Sequence, residues 1–484
     1  MSSIVLSVAL PLIAAFLLPV LARWSSAAAM VAGPLVLALT TAVVVSAWAC
    51  ARGEPFAVAV GAFRPPLGIS FYADSMALIF AAAVPVMSLL LWPAGRSTDD
   101  VRRQVLTLVL AAASSGLALA GDLFTLYVFY ELAAVASYGL AADRGTAAGF
   151  AAAFRYLMIS ALGSVFALVG VAIVYFSTGT LNLAHLALLS DELSGPTGLA
   201  AFLFLLVGFG VKAELFPLNT WVPEVYGAAS RRVAGLLAGL VSKLAVLVVV
   251  RLLVLVFPQE EARLVMLLLG ILGVLAGELA AWRAQDLARM LAWSSIGQLG
   301  IVFIAFSLPG SAGIVAGVAV ALHHLVAKTA LFLLAERWGG SIEALRGGAR
   351  VSPTGGALYV LFALSLVGLP PLPGFWAKLL TLTGLAAADS AVHMLAIAVV
   401  LLATIVEVSY LFRVAATLYS GEAAESGAGM HGRLDLATAG LFAIILVGSV
   451  AAIGPLWTGL GGLAATAGDV GLYVETVSQT GVPR

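Results

Sequence analysis

Four lysines stand inside stretches that are otherwise fit for lipid. They are Lys212 in GFGVKAELFPLNTW, Lys243 in a leucine- and valine-rich run, Lys328 in GVAVALHHLVAKTALFLLAE and Lys378 in VGLPPLPGFWAKLL. The other twenty of the 24 basic residues are arginines, gathered mostly in the polar connections. A guanidinium keeps its proton under protein conditions, whereas a buried ammonium can release one. Lysine confined to apolar surroundings therefore points to groups that hold and pass protons. Acidic residues in similar surroundings offer partners: Glu131 in DLFTLYVFYELAAVASYGL and, as secondary candidates, Glu214, Glu278 and Glu407. A charge at membrane depth costs upward of about 3 kcal/mol, so each should face a bundle interior with a partner or a task. An ion pair that only holds helices together would explain any one of them. It explains four lysines and Glu131 together less well.

His323 and His324 precede Lys328, and His324 and Lys328 are four residues apart on one helix face. Two imidazoles beside an amine read as a proton relay. A metal site is not expected, because HHxxxK offers too few ligands and no carboxylate stands at a suitable spacing.

The elements holding these groups follow from composition. Of 484 residues, 62% are hydrophobic and 10% charged, and the mean hydropathy is +1.11, which describes a polytopic, all-α membrane protein. A formal net charge of zero without basic or acidic blocks argues against a nucleic-acid partner. One cysteine, Cys50, cannot form an intrachain disulfide or a thiolate cluster. No phosphate-binding loop or nicotinamide fingerprint appears, so no cofactor is expected and the chain has no redox chemistry of its own. The segment Met1 to Ala22 lacks a basic start and a small-residue cleavage site, and reads as the first span.

At about 20 apolar residues per crossing, the chain divides into fourteen spans, from 3–22 to 435–459. Alternate connections collect fifteen arginines on one side and five on the other, the latter being Arg52, Arg64, Arg251, Arg263 and Arg484. Positive charge marks the cytoplasmic side. The expectation is a cytoplasmic (inner) membrane protein with both termini outside.

Pro217 follows Lys212 by five residues, and Pro370, Pro371, Pro373 and Gly374 precede Lys378. Proline removes a backbone donor and clashes with the preceding turn, so the seventh and twelfth spans should be broken at membrane depth. Two broken spans five helices apart, each with a lysine beside its break, suggest internal repeats, and the odd offset makes them inverted. The expected segments are 1–103 for helices 1–3, 104–256 for the first five-helix repeat, 263–419 for the second, and 420–484 for the last helix and tail. Reading PPLP as a simple loop is the structural alternative.

Seven stretches in order carry a resemblance: PPLGISFYADSMAL, GDLFTLYVFYELAAVASYGL, FRYLMISALGS, GVKAELFPLNTWVPEVYGAAS, DLARMLAWSSIGQLG, HHLVAKTALFL and GLPPLPGFWAKL. Through most of its length, from about Pro65 to Tyr419, the chain resembles the antiporter-like subunits of respiratory complex I, membrane-bound hydrogenases and Mrp-type sodium/proton antiporters. The PPLGI segment and the tyrosine of WVPEVY look most like the Mrp and hydrogenase branch. The resemblance implies fourteen helices with two inverted five-helix units. It also implies a path along the membrane midplane: Glu131 paired with Lys212, then Lys243, then His323, His324 and Lys328, with Lys378 at the outlet. Protons, with or without sodium, would be the cargo, and other membrane subunits the partners. Three positions depart from the family's usual residues: Glu214 replaces a small apolar residue, Asn219 a histidine, and Arg231–Arg232 an Ala-Pro-type helix start.

In the mechanism this suggests, Glu131 favours the charged form of Lys212, and weakening the pair sends the proton toward Lys243. A charge partner within about 4 to 6 Å is worth about 1.4 to 4 kcal/mol, comparable with the roughly 2.3 kcal/mol per charge that 100 mV supplies. A substrate transporter would use similar broken helices but a polar, aromatic-rich pocket, where this sequence places titratable groups. A purely structural subunit with a vestigial channel would not need all of these groups.

Overall fold

The computed structural model of the chain describes residues 2–61, 63–421 and 433–480. Arg484 of the orientation count and part of the expected 420–484 tail lie outside the described residues. The helices run in chain order as α1 (Leu6–Trp24), α2 (Ser26–Ala51), α3 (Ser75–Leu90), α4 (Thr98–Leu119), α5 (Leu123–Ala141), α6 (Ala147–Thr178), α7 (Leu183–Leu188), α8 (Pro196–Gly210), α9 (Val222–Ala228), α10 (Arg231–Leu236), α11 (Ser242–Leu255), α12 (Glu260–Arg283), α13 (Leu287–Ser307), α14 (Gly310–Trp338), α15 (Gly348–Val351), α16 (Pro353–Val367), α17 (Pro373–Ala387), α18 (Ala391–Tyr419), α19 (Arg433–Ala451), α20 (Ile453–Gly468) and α21 (Val470–Ser478). The sequence gives no warning of the antiparallel hairpin of β1 (Phe56–Val60) and β2 (Ile69–Ala73), with Phe56 opposite Ala73.

Ten helices among the described residues are long and apolar enough to cross a membrane, and α3, α8 and α16 are shorter apolar helices. The chain is a multi-pass, helical membrane protein. The remaining expected crossing falls on α4, whose first turns carry Asp99, Asp100, Arg102 and Arg103. Side-chain caps define many of the helix starts: Asp74 accepts from Ala77 N, Asp122 from Thr125 N, Thr146 from Gly149 N and Asp286 from Arg289 N. Caps matter in lipid, where an unsatisfied backbone amide has no water to turn to.

Two compact units make up the chain. The first comprises residues 1–213, 244–262 and 463–484, and the second residues 214–243 and 263–462. This division follows packing, whereas the expected repeats follow the order and direction of helices, so the two cuts differ. Residues 214–243, in the first repeat by sequence, pack in the second unit.

In the first unit, α6 and α8 approach through small residues. A Cβ on Gly208 would lie 2.5 Å from the Cβ of Ala167, and one on Gly163 2.7 Å from Val211 Cγ2. Close backbone approach of this kind is how helices associate where lipid removes the hydrophobic drive. The same unit holds a buried ion pair. Arg251, counted by sequence among the connecting arginines, lies inside α11 and donates to Asp74 Oδ1 at 2.6 Å, with both side chains at most 8% exposed. Its guanidinium also faces the rings of Tyr72 and Tyr473, 5.3 and 5.8 Å from their centroids. One charge thus ties β2, the start of α3, α11 and α21 together.

In the second unit, α12 and α13 meet across glycines. A Cβ on Gly277 would lie 2.3 Å from Gly297 N, and one on Gly300 2.6 Å from Val274 N. Helix α14 fills the centre and is buried along most of its length. Residues 211–221 between α8 and α9 and residues 368–372 between α16 and α17 are non-helical, in the two spans where proline placed breaks. A third irregularity, the π-helical turn Leu237–Val241 between α10 and α11, had no proline to announce it.

Removing one partner of a buried ion pair leaves an uncompensated charge and costs about 3–5 kcal/mol, while replacing both with uncharged groups costs far less. Arg251→Met should therefore lower the thermal midpoint of the detergent-solubilised protein markedly, and Arg251→Met with Asp74→Asn, which removes the second charge and keeps the cap on Ala77 N, should recover much of it. A static light-scattering melt checks both.

Candidate functional site

Each unit carries part of the expected series. In the first, the break after α8 places Lys212 Nζ 3.5 Å from the centroid of the Tyr130 ring and 2.9 Å from Ser160 Oγ, to which it donates. The side chain is 2% exposed. The Tyr130 hydroxyl, in turn, donates to Gly208 O at 2.7 Å, near the end of α8. Lys212 and Glu131 are not in hydrogen-bond or ion-pair contact, and the Glu131 charge acts on the ammonium at longer range. Successive residues on a helix point about 100° apart, so an α5 that offers Tyr130 to the ammonium turns Glu131 to its flank. Glu131 Oε1 is buried without a hydrogen-bond partner. Lys212 is therefore held by a hydroxyl and an aromatic face, both neutral.

The second unit opens with Glu214, which has a φ of 57°, a left-handed conformation that glycine favours. Asn219 Nδ2 donates to Glu214 O at 3.1 Å, and the Tyr226 hydroxyl donates to Glu214 Oε1 at 2.6 Å. Arg231 donates to the carbonyls of Tyr226 and Gly227 at the end of α9, and Arg232 pairs with Asp435 of α19 at 2.6 Å. The positions that depart from the family pattern thus act on one local arrangement. Asn219 and Tyr226 hold the turn that buries a carboxylate, and the two arginines anchor α9 and α10.

The π turn serves Lys243. Widening one turn frees a carbonyl from the helical ladder, and Ala238 O accepts from both Lys243 Nζ and Ser242 Oγ, the latter at 2.9 Å. Lys243 Nζ also donates to Ser242 Oγ at 3.1 Å. Gly235 and Gly239 make the turn possible. Thr329 Oγ1 donates to Gly235 O at 3.1 Å and would lie 2.1 Å from a Cβ on Gly239.

On α14, Lys328 is fully buried and donates to Ser294 Oγ of α13 at 2.6 Å, while His323 Nε2 lies 2.9 Å from Ser365 Oγ of α16. His324 is equally buried, and neither ring nitrogen has a hydrogen-bond partner among the described residues. The two imidazoles and the amine thus share a helix without touching through hydrogen bonds. Lys378, one turn into α17, donates to Glu407 Oε2 of α18 at 2.6 Å and to Val367 O at 3.2 Å, a carbonyl released by the break after α16. Gln298 Nε2 donates to the other Glu407 oxygen at 2.7 Å. Of the four lysines, Lys378 alone has a carboxylate within ion-pair distance among the described residues. Glu278, the last secondary candidate, accepts from the Tyr410 hydroxyl at 2.8 Å.

Sequence reading missed the neutral members of these clusters: Tyr130, Ser160, Tyr226, Ser294, Gln298, Ser365 and Tyr410. Each is an ordinary residue in an apolar helix, and only the fold shows that it faces a charge.

Residues 120–405 match the family model described as NADH:quinone oxidoreductase/Mrp antiporter, TM. An NADH-quinone oxidoreductase subunit of Desulforudis audaxviator is 32% identical over 387 residues, covering 76% of each chain. A Na(+)/H(+) antiporter subunit of Alkalihalophilus pseudofirmus is 32% identical over 340 residues, covering 66% of this chain and 67% of that one. A chain in the structure of the membrane-bound sulfane sulfur reductase, an archaeal respiratory membrane complex, superposes with a TM-score of 0.89 at 30% identity, covering 99% of this chain and all of that one. With the fold matched over nearly its whole length and the family model spanning α5 to α18, the chain belongs to the NADH:quinone oxidoreductase/Mrp antiporter transmembrane family.

Proposed function

We propose that this chain is a proton-translocating membrane subunit of a multisubunit complex, moving protons with or without exchange for sodium. Its stations would be Glu131 and Lys212 in the first unit, and Lys243, His323, His324, Lys328 and Lys378 in the second. Glu214, Glu278 and Glu407 would be auxiliary acceptors. The observation that carries the reading is the state of the four amines. All are buried, yet three rest on neutral acceptors and only Lys378 on a carboxylate. Acids act on the other three only at longer range, Glu131 on Lys212, Glu214 on Lys243, and Glu407, Glu278 and Glu214 on Lys328, where a structural ion pair would make direct contact. A group that must alternate between charged and neutral forms needs acceptors that serve both.

The arrangement suggests how such a switch works. Lys378 with Glu407 is a closed pair, and Lys212 beside Ser160 and Tyr130, with Glu131 turned aside, is an open one. If the broken spans belong to two inverted five-helix repeats, these are the two states of one device. Bringing Glu131 to the ammonium in place of Tyr130, a turn of α5 of about 100° or an equivalent swing of the Glu131 side chain, would close the first pair. The repeats, at 104–256 and 263–419, fit fourteen crossings with both termini outside a cytoplasmic membrane and the arginine-rich connections inside.

Two relatives set the alternatives for what drives the protons. The Alkalihalophilus relative is named for sodium/proton exchange and the Desulforudis relative for quinone reduction. The PPLGI segment and Tyr226 look most like the Mrp and hydrogenase branch. In the quinone-reducing case, redox chemistry would belong to partner subunits, for which this chain would serve as the proton-carrying element.

Lys212→Ala should abolish proton translocation in inverted membrane vesicles, read by quenching of a pH-sensitive dye, with the complex assembled at normal level on a native gel. Unimpaired translocation would refute the assignment. Breaking the closed pair has a second consequence. Glu407→Gln should stop translocation and lower the detergent melting midpoint, since a lone buried ammonium costs about 3–5 kcal/mol. Lys378→Met with Glu407→Leu should restore the midpoint and leave translocation lost, which separates stability from transport.

A further inference from the structure

Lys328 sits deep in the second unit and needs a route by which to exchange protons with water. One set of contacts supplies the inner part of such a route, and the inference rests on the proton-carrying role of Lys328. Lys328 Nζ donates to Ser294 Oγ at 2.6 Å, Ser294 Oγ lies 2.6 Å from the Tyr410 hydroxyl, and that hydroxyl lies 2.8 Å from Glu278 Oε2. Four side chains from four helices, α14, α13, α18 and α12, form an unbroken series, with each of the four residues at most 2% exposed.

The polarity of the series depends on the state of Glu278. The single Tyr410 hydroxyl proton has two acceptors within reach, Ser294 Oγ and Glu278 Oε2; with Glu278 ionised the carboxylate takes it, and Tyr410 accepts from Ser294. Ser294 accepts from Lys328. Every donor then points the same way, from Lys328 toward Glu278.

The series also leads somewhere. Lys328 is ten residues from the end of α14 and Glu278 five from the end of α12, or about 15 and 7.5 Å at 1.5 Å per residue. Glu278 thus lies about halfway from Lys328 to the face where Arg283 ends α12 and Arg413 donates to Ala284 O. Its other oxygen, Oε1, is buried without a partner, in a space that Gly297 keeps open: a Cβ there would lie 2.3 Å from Oε1.

We propose that Ser294, Tyr410 and Glu278 form a lateral proton relay that carries protons from Lys328 about halfway toward the arginine-bearing face of the second unit, with Gly297 shaping the berth of the terminal carboxylate. In one transfer, an N–H bond of the Lys328 ammonium breaks as its proton moves to Ser294. The Ser294 proton moves to Tyr410, and the Tyr410 proton forms an O–H bond on Glu278. The result is a neutral amine and a neutral carboxylic acid, with both hydroxyls restored and nothing oxidised or reduced.

The test uses inverted vesicles holding the whole complex, with assembly checked on a native gel. Tyr410→Phe and Glu278→Gln should each lower translocation at least tenfold at normal assembly, and Gly297→Ala should reproduce the Glu278→Gln loss. Fluorinated tyrosines of increasing acidity at position 410 should shift the rate in graded fashion, which a hydroxyl that merely braces its neighbours would not do. Normal rates in Tyr410→Phe and Glu278→Gln alongside a dead Lys328→Met would overturn the relay alone. So would a Tyr410→Phe loss with a flat response to the fluorotyrosines. A Lys328→Met protein that still translocates would overturn the proton-carrying reading on which the relay rests.

Discussion

Burying an ammonium in a medium that cannot solvate it is the constraint from which the rest of this structure follows. Each lysine must find acceptors inside the protein, because leaving the charge bare costs several kcal/mol. The fold meets this demand largely by spoiling regular helix. The break after α8 places Lys212 over an aromatic ring. The π turn frees Ala238 O for Lys243, and the break after α16 frees Val367 O for Lys378. Irregular backbone at membrane depth is tolerated only where it is buried in protein, and here it is also the source of the oxygen atoms the amines require. Lys328 lies mid-helix, away from any break, and it takes its acceptor from a serine on the neighbouring α13.

That constraint sets the energy scale of any switching. A buried pair such as Lys378–Glu407 is held by interactions worth a few kcal/mol, the same order as the work a membrane potential does on one charge. Amines resting on hydroxyls and carbonyls sit in shallower wells. On the proposed reading, a chain holding both kinds would pass a proton without any site becoming a trap. The glycine contacts between α12 and α13 contribute by bringing backbones close enough for Glu278, Ser294 and Tyr410 to meet.

How much of this could be read beforehand divides along physical lines. Lysines and acids in apolar runs are visible because their cost is local to the sequence, and proline marks two of the three irregular turns. The π turn escaped because it depends on Gly235 and Gly239 nestling against Thr329, a contact with a residue about ninety positions away. Glu131 acts on Lys212 at longer range and not by direct contact, and spacing cannot tell which of two adjacent helical residues faces a partner. Arg251 reads from sequence as a connecting charge, since its partner Asp74 is far off in the chain. Asn219, Arg231 and Arg232 stood out as departures, and their roles emerged only once Glu214 was seen in its left-handed turn.

The central claim is that these amines change protonation state as the protein works. With only four lysines in the chain, subunit-selective labelling with lysine carrying nitrogen-15 at Nζ would give four side-chain signals in a solid-state NMR spectrum of the complex in lipid. Imposing a proton gradient should convert at least the Lys328 signal between its ammonium and amine forms. Four signals that keep one protonation state with and without the gradient would contradict the claim.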